Sequence, residues 1–102
     1  MITDYKEDID VLTVEREDYD DYSESIEMGG FVLDIDSESG FLGLEIIDAS
    51  QKTSMTREEL RNIKDVELEM EKDKDYFRVQ LRLKSEKGES RITSQYPRPA
   101  AA

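Results

Sequence analysis

Four carboxylates in the first half of the chain have a spacing that could hold a divalent cation: Asp34, Asp36, Glu38 and Glu45. The last follows the first by eleven residues, which approximates the oxygen-ligand spacing of a calcium-binding loop. That loop needs glycine at its sixth position, where this chain has Ser39, and it lies between helices rather than strands. The four residues therefore indicate at most a weak cation site.

A second cluster is an acidic stretch with two tyrosines, between residues 15 and 25. The candidate partner-binding residues within it are Glu17, Asp18, Tyr19, Asp20, Asp21, Tyr22 and Glu24. The stretch has one base, Arg16, and no aliphatic residue, so we expect an exposed loop. Tyrosines supply contact area, and carboxylates steer a basic partner towards them. The cluster predicts a docking surface for a basic protein, with a plain solvated loop as the alternative.

Enzyme chemistry has few candidates in this chain. The absence of cysteine and histidine excludes thiol nucleophiles, Ser/His pairs and Cys/His zinc sites. Paired carboxylates could act as general acid and base, and Glu45 is the best candidate because its strand is otherwise apolar. A single carboxylate in a strand usually faces solvent, and so small a core rarely encloses a substrate cleft. We therefore expect a protein that is not an enzyme, with no catalytic residue and no cofactor.

The charge is divided unevenly along the chain. Residues 1–50 hold 16 acidic and 2 basic residues, a net charge of −14, whereas residues 51–102 hold 10 acidic and 12 basic residues, a net charge of +2. The negative half repels nucleic acid and anionic membranes and attracts basic proteins or cations. The last strands are predicted to carry a basic face consisting of Arg78, Arg82, Lys84 and Arg91. Asp65 and Glu69 are expected to neutralise this face, so no nucleic-acid partner is expected.

Features that would direct the chain to a membrane are missing from the sequence. No apolar run approaches the roughly 20 residues of a membrane helix. The first ten residues are acidic and polar, unlike the basic and then apolar stretch of a signal peptide. We expect a cytoplasmic protein with no membrane partner.

Alternation of apolar and polar residues predicts strands through the first half of the chain. The predicted strands cover residues 5–15, 26–28, 31–36 and 41–47. Gly29 and Gly30 mark a tight turn, and residues 37–40 supply a hairpin turn. The acidic stretch is therefore expected to be a loop between strands, and the four carboxylates are expected to lie around a hairpin.

A capping box predicts a short helix in the second half. Thr56 is followed three residues later by Glu59, the pattern in which the two side chains cap the same helix start. Met55 and Leu60 are placed to pack together across that start. The pattern predicts a helix over residues 57–63.

After this helix a period of two predicts a three-stranded meander. A turn at residues 73 and 74 would place Leu68 opposite Val79. A second turn at residues 87 and 88 would place Tyr96 opposite Val79 on the other side.

A family resemblance covers about the first half of the chain. It is carried by Tyr5, Asp10, Leu12, Val14, Gly30, Val32, Asp34, Gly40, Leu42 and the run Gly-Leu-Glu-Ile-Ile-Asp-Ala-Ser at residues 43–50. These residues resemble the small uncharacterised family called domain of unknown function 2283, with departures at Lys6 and Thr13. The resemblance implies a β-rich unit of prokaryotic origin and is compatible with a structural role for Glu45. Since some similar proteins sit beside toxin-like partners, it also suggests an antitoxin-like or adaptor role.

The patterns predict an α+β domain, mostly antiparallel β-sheet, with about seven strands in hairpins and a meander and one short helix near residues 57–63. Residues 1–96 form the single domain, and residues 97–102 form a disordered tail. The expected function is a non-enzymatic protein-interaction module whose acidic N-terminal half binds a basic protein. The alternatives are a structural homo-oligomer, such as a homodimer through strand edges, and a weak divalent-cation-binding domain.

Overall fold

The computed structural model describes residues 1–99, which form eight strands in two antiparallel sheets and two short helices. The strands are β1 (Ile2–Lys6), β2 (Val11–Glu15), β3 (Tyr22–Met28), β4 (Phe31–Asp36), β5 (Phe41–Ile47), β6 (Ile63–Lys72), β7 (Tyr76–Ser85) and β8 (Glu89–Pro97). The helices are α1 (Ala49–Thr53) and α2 (Arg57–Arg61). The predicted α+β fold, mostly antiparallel sheet, is confirmed, with one strand and one helix more than expected.

The first sheet has the strand order β1-β2-β5-β4-β3, so β5 lies at its centre. Alternation along the strands gives the sheet two different faces. On the inner face Val14, Leu44 and Leu33 stand in one row across three strands and are buried. On the outer face Glu45 stands between Thr13 and Val32 and is exposed. The outer face of this sheet therefore carries Glu45, and Asp34 stands on the same face opposite Gly43.

The second sheet has the order β6-β7-β8, and its pairing differs from the predicted register. Leu68 lies opposite Leu81, and Tyr96 lies opposite Phe77. The reason is the position of the two turns, which are centred on residues 74–75 and 86–87. In the first, the Asp73 N–H donates to the Tyr76 carbonyl at 2.9 Å. Each turn is displaced by one residue, which shifts the pairing by two and leaves every side chain on its predicted face.

The basic face of the second sheet is neutralised, as expected, although by a partly different set of acids. Arg82 forms ion pairs with Glu67, Asp65 and Glu89. Arg78 pairs with Glu71 at 3.1 Å, because the register places Glu71 rather than Glu69 opposite it. Lys84 and Arg91 complete this face, and Arg91 lies 3.7 Å from Glu89.

One core joins the two sheets. Its largest fully buried side chains are Tyr96 and Phe77 of the second sheet and the leucines of the first. The capping box of α2 is formed as predicted, with the Thr56 side chain and the Glu59 side chain each accepting the other's backbone N–H. The helix ends at Arg61, two residues early, because the chain enters β6 at Ile63.

A buried carboxylate divides the first predicted strand in two. Asp10 adopts a left-handed backbone with φ 54°, which separates β1 from β2. Its carboxylate accepts the Tyr5 hydroxyl at 2.6 Å, and the Ser50 hydroxyl and N–H at 2.7 and 3.1 Å. The Asp10 carbonyl accepts the Ala49 N–H at 2.9 Å. These contacts, which we call the Asp10 lock, attach the β1–β2 hairpin to the start of α1.

The C-terminal segment stays in contact with the second sheet beyond residue 96, where the disordered tail was predicted to begin. Pro97 is the last residue of β8, and the Arg98 N–H donates to the Asp75 carbonyl at 2.9 Å. The Arg98 guanidinium also lies 5.1 Å from the centre of the Phe77 ring. Residues 100–102 of the predicted tail lie outside the described residues. Neither helix within residues 1–99 has the length and apolar character needed to cross a membrane.

The Asp10 lock predicts a specific loss of stability. Asp10→Ala should lower the free energy of unfolding by about 2 to 3 kcal/mol, because it removes a buried charged acceptor from Tyr5 and Ser50. Urea unfolding measures this change. Asp8→Asn, an exposed neighbour, is the control and should stay within about 0.5 kcal/mol of the wild type.

The lock also predicts a pH dependence. Burial opposes ionisation, but hydrogen bonds from Tyr5 and Ser50 hold the pKa of Asp10 below its ordinary value. A pKa lower in the folded than in the unfolded state gives a stabilisation that is complete above the unfolded pKa of about 3.9 and is lost as pH falls through the folded pKa. The stability of Asp10→Asn should therefore fall less steeply than that of the wild type between about pH 5 and pH 2. Equal slopes would contradict the lock.

Candidate functional site

The segment after β2 folds back over the outer face of the first sheet. There the Tyr19 ring lies across Gly43 of β5, where an added Cβ would stand 3.4 Å from the ring carbon Cε2. A glycine in a strand often marks such a close approach. Tyr19 is therefore fixed against the sheet rather than extended into solvent.

Asp34 of β4 is the acceptor that organises this region. It accepts the Tyr19 hydroxyl at 2.8 Å through one oxygen and the Ser25 hydroxyl through the other. The Ser25 hydroxyl is also 2.7 Å from the Tyr22 hydroxyl. The Tyr19 and Tyr22 rings stack with their centroids 6.4 Å apart and their planes 15° from parallel. Partial burial and the bond to Asp34 raise the pKa of Tyr19, so its hydroxyl remains a neutral donor.

The loop that carries Tyr19 is anchored at both ends. At its start the Arg16 N–H donates to the Leu42 carbonyl of β5 at 2.9 Å, and the Arg16 guanidinium donates two hydrogen bonds to Asp18, at 3.1 and 2.8 Å. At the other end the Asp21 carbonyl accepts the Ser37 N–H at 3.2 Å, and the Ser37 hydroxyl donates to the Asp21 carboxylate. The loop was predicted over residues 15–25, but it ends before residue 22, because β3 begins at Tyr22.

We call this region the acidic tyrosine surface, which consists of Glu17, Asp18, Tyr19, Asp20, Asp21, Tyr22, Glu24, Ser25 and Asp34. Its charge is mostly uncompensated. Arg16 neutralises Asp18, and Glu17 lies 3.7 Å from the N-terminal amine. Asp20 and Glu24 form no ion pair with any residue of the described range 1–99. The surface therefore joins two ordered aromatic rings to exposed negative charge.

The structure does not gather the four carboxylates of the predicted cation site. Asp34 is occupied by Tyr19 and Ser25, and Glu45 stands exposed on the next strand, opposite Val32. Asp36 accepts the N–H groups of Gly40 and Glu38, which hold its pKa below the ordinary value. Within residues 1–99, no group of three or more such side chains is arranged to hold a metal ion.

The sequence assigned one organising residue of this half to the wrong role and did not identify the other as a site residue. Asp34 was read as a cation ligand, whereas it is the acceptor that fixes both tyrosines. Asp10, Tyr5 and Ser50 all belong to the family resemblance, which was the available signal for the Asp10 lock. In that lock the Ser50 hydroxyl donates to a carboxylate of lowered pKa, which is a weak base. The lock therefore holds structure together and does not activate the serine.

The comparisons with known proteins give one partial similarity. No family model matches the chain, so membership of domain of unknown function 2283 stays a prediction, and no solved structure matches it significantly. A protein of Methanosarcina mazei named "Putative hypoxanthine phosphoribosyltransferase" is 34% identical over 62 residues, 61% of this chain. The match covers 50% of that relative, so the chain spans about half the length of the curated protein it resembles.

This similarity corrects one expectation drawn from composition. The expectation that the protein is not an enzyme is contradicted, because the relative carries the name of an enzyme. The absence of histidine and cysteine excludes only the chemistry that needs those side chains, and other side chains can act as acids and bases.

The hydrogen bond from Tyr19 to Asp34 predicts a local effect. Tyr19→Phe should cost about 1 kcal/mol of stability and speed hydrogen exchange at the Ser37 amide, whose partner is the loop carbonyl of Asp21. Exchange measured by NMR reports both changes. The matched control is Tyr76→Phe on the second sheet, which should leave the Ser37 amide unaffected. An unchanged exchange rate in Tyr19→Phe would mean that this hydroxyl does not hold the loop.

Proposed function

We propose that the acidic tyrosine surface binds a basic protein partner, in an antitoxin-like or adaptor role. The observation that carries the proposal is the pair of stacked, hydrogen-bonded tyrosines standing among exposed carboxylates. Tyr19 is 39% exposed and Tyr22 is 53% exposed, so each ring offers contact area. Because the rings are already ordered by Asp34 and Ser25, little side-chain entropy is lost on binding.

The charge of the surface favours a basic protein as the partner. Residues 15–25 hold six carboxylates and one base, within a half of net charge −14. Such a field accelerates the encounter with a positive partner and repels phosphate backbones. The carboxylates then lie around the tyrosines, where they contribute orientation and specificity while the rings contribute contact energy.

The first test removes charge and leaves the tyrosine network intact. The triple variant Glu17→Gln, Asp20→Asn and Glu24→Gln should bind a basic partner roughly tenfold more weakly, because exposed ion pairs contribute up to about 1 kcal/mol each. The partner is a basic protein captured with the tagged chain from lysate, purified, and titrated by calorimetry at low and high salt. The variant should also show a smaller salt dependence than the wild type.

The matched control removes three exposed carboxylates elsewhere: Asp8→Asn, Asp75→Asn and Glu86→Gln. It should bind as the wild type does. Tyr22→Ala should weaken binding by roughly thirtyfold while leaving the salt dependence unchanged, since it removes contact area rather than charge. If both triple variants weaken binding equally, net charge alone attracts the partner, and the proposed surface is wrong.

A second candidate function rests on the partial similarity alone. The relative's name suggests transfer of a phosphoribosyl group to hypoxanthine. We propose as a test that the purified chain be incubated with hypoxanthine and a phosphoribosyl donor, with nucleotide formation followed by chromatography. Product above that of a urea-unfolded sample would support the activity. Its absence would leave the docking function as the remaining proposal.

A further inference from the structure

The edge of the second sheet formed by β6 is open along most of its length. Within residues 1–99, β6 pairs with β7 and with no other strand. Its pairing is regular from Asp65 to Lys72. The other edges differ: β1 has five residues, β3 has a register shift near Tyr22, and β8 is contacted by the helix segment through the Ser90 hydroxyl and the Thr53 carbonyl.

The backbone of β6 leaves alternate residues free to bond a further strand. Asp73 and Tyr76 form a hydrogen-bonded pair, so the odd-numbered residues of β6 point their N–H and C=O groups towards β7. The even-numbered residues, among them Val66, Leu68 and Met70, therefore point theirs towards the open edge.

The side chains of the same three residues are only partly covered. Val66, Leu68 and Met70 face the core but remain half-buried, whereas the matching row of β7 is buried. An added strand would continue the apolar row and cover these side chains. Backbone groups and side chains thus both indicate room for one more strand.

The outer face of β6 determines what kind of strand can be added. Its residues Asp65, Glu67, Glu69 and Glu71 are all acidic and all odd-numbered. If β6 of a second copy were added at this edge with its apolar side chains on the same face as those of the first copy, its acidic residues would also share a face with the acids of the first copy. Acid would then lie opposite acid, because residues of the same parity share a face. Glu69 lies opposite Gln80 and forms no ion pair within residues 1–99, so it is available to an incoming cation. Glu67 and Glu69 also line a groove of about 510 Å³ on this face.

We propose that β6 accepts an extended segment of a partner protein, with basic residues alternating with apolar ones, as a fourth strand of the second sheet. The apolar residues cover Val66, Leu68 and Met70, and a basic residue meets Glu69, the acid of this row that has no ion pair within residues 1–99. This mode combines main-chain hydrogen bonds with side-chain selection. It does not depend on the acidic tyrosine surface, which lies on the other sheet.

The test uses a synthetic peptide of about seven alternating lysines and valines, a length typical of a strand. Its addition should slow hydrogen exchange at the amides of Val66, Leu68 and Met70, measured by NMR. A peptide with the same composition in two blocks, and one alternating glutamate with valine, should not slow it. Glu69→Lys should weaken binding of the lysine peptide about fivefold or more, whereas Glu45→Lys, the same charge change on the first sheet, should not.

The proposal is overturned if the alternating peptide fails to protect these amides, or if the block peptide protects them equally. It is also overturned if the free protein is a dimer by light scattering with these amides already protected, because a second copy then occupies the edge. The variant with Glu17→Gln, Asp20→Asn and Glu24→Gln should bind the peptide normally. Failure of the docking proposal is thereby separated from failure of this one.

Discussion

The Asp10 lock is the constraint on which the first sheet depends. A buried carboxylate is costly unless it is hydrogen-bonded, and Tyr5 and Ser50 supply those bonds from β1 and from the segment after β5. They attach the β1–β2 hairpin to the segment that follows β5, close to where β2 pairs with β5. Because β5 is then fixed between β2 and β4, Gly43 and Asp34 lie opposite each other. The Tyr19 ring packs on Gly43, and the Tyr19 hydroxyl donates to Asp34.

The two sheets differ in how much of their charge is compensated by ion pairs. On the second sheet, the acids of β6 and the arginines of β7 meet across strands, so most of the charge is balanced within the sheet. On the first sheet, Arg16 is the one arginine of the outer acidic region, and it is engaged by Asp18. The negative field of the molecule therefore originates mainly from the first sheet, and the exception on the second is Glu69 of β6, which has no ion pair within residues 1–99.

The sequence predicted what depends on local pattern and missed what depends on distant contacts. The capping box and the faces of β6, β7 and β8 follow from spacing alone. The register of these strands does not follow from spacing. A shift of two residues leaves every side chain on the same face, so only the geometry of the turn selects among such registers. Helix α1 was missed because Asp48 gives it no side-chain cap and it has only five residues. The role of Asp34 was missed because Tyr19 reaches it from 15 residues away, although a glycine within a strand was a usable signal.

Charge by itself cannot select a partner for such a protein. At physiological ionic strength, interactions between exposed charges are largely screened beyond about 8 Å, and any basic protein would gain from the same field. Selection must therefore come from groups that are already in position. The tyrosine rings are held by Asp34 and Ser25, and the free backbone groups of β6 are held in strand geometry by β7. Binding at either proposed place would order little further protein, so the pattern of the partner's residues would decide affinity and the acidic charge would mainly raise the rate of encounter.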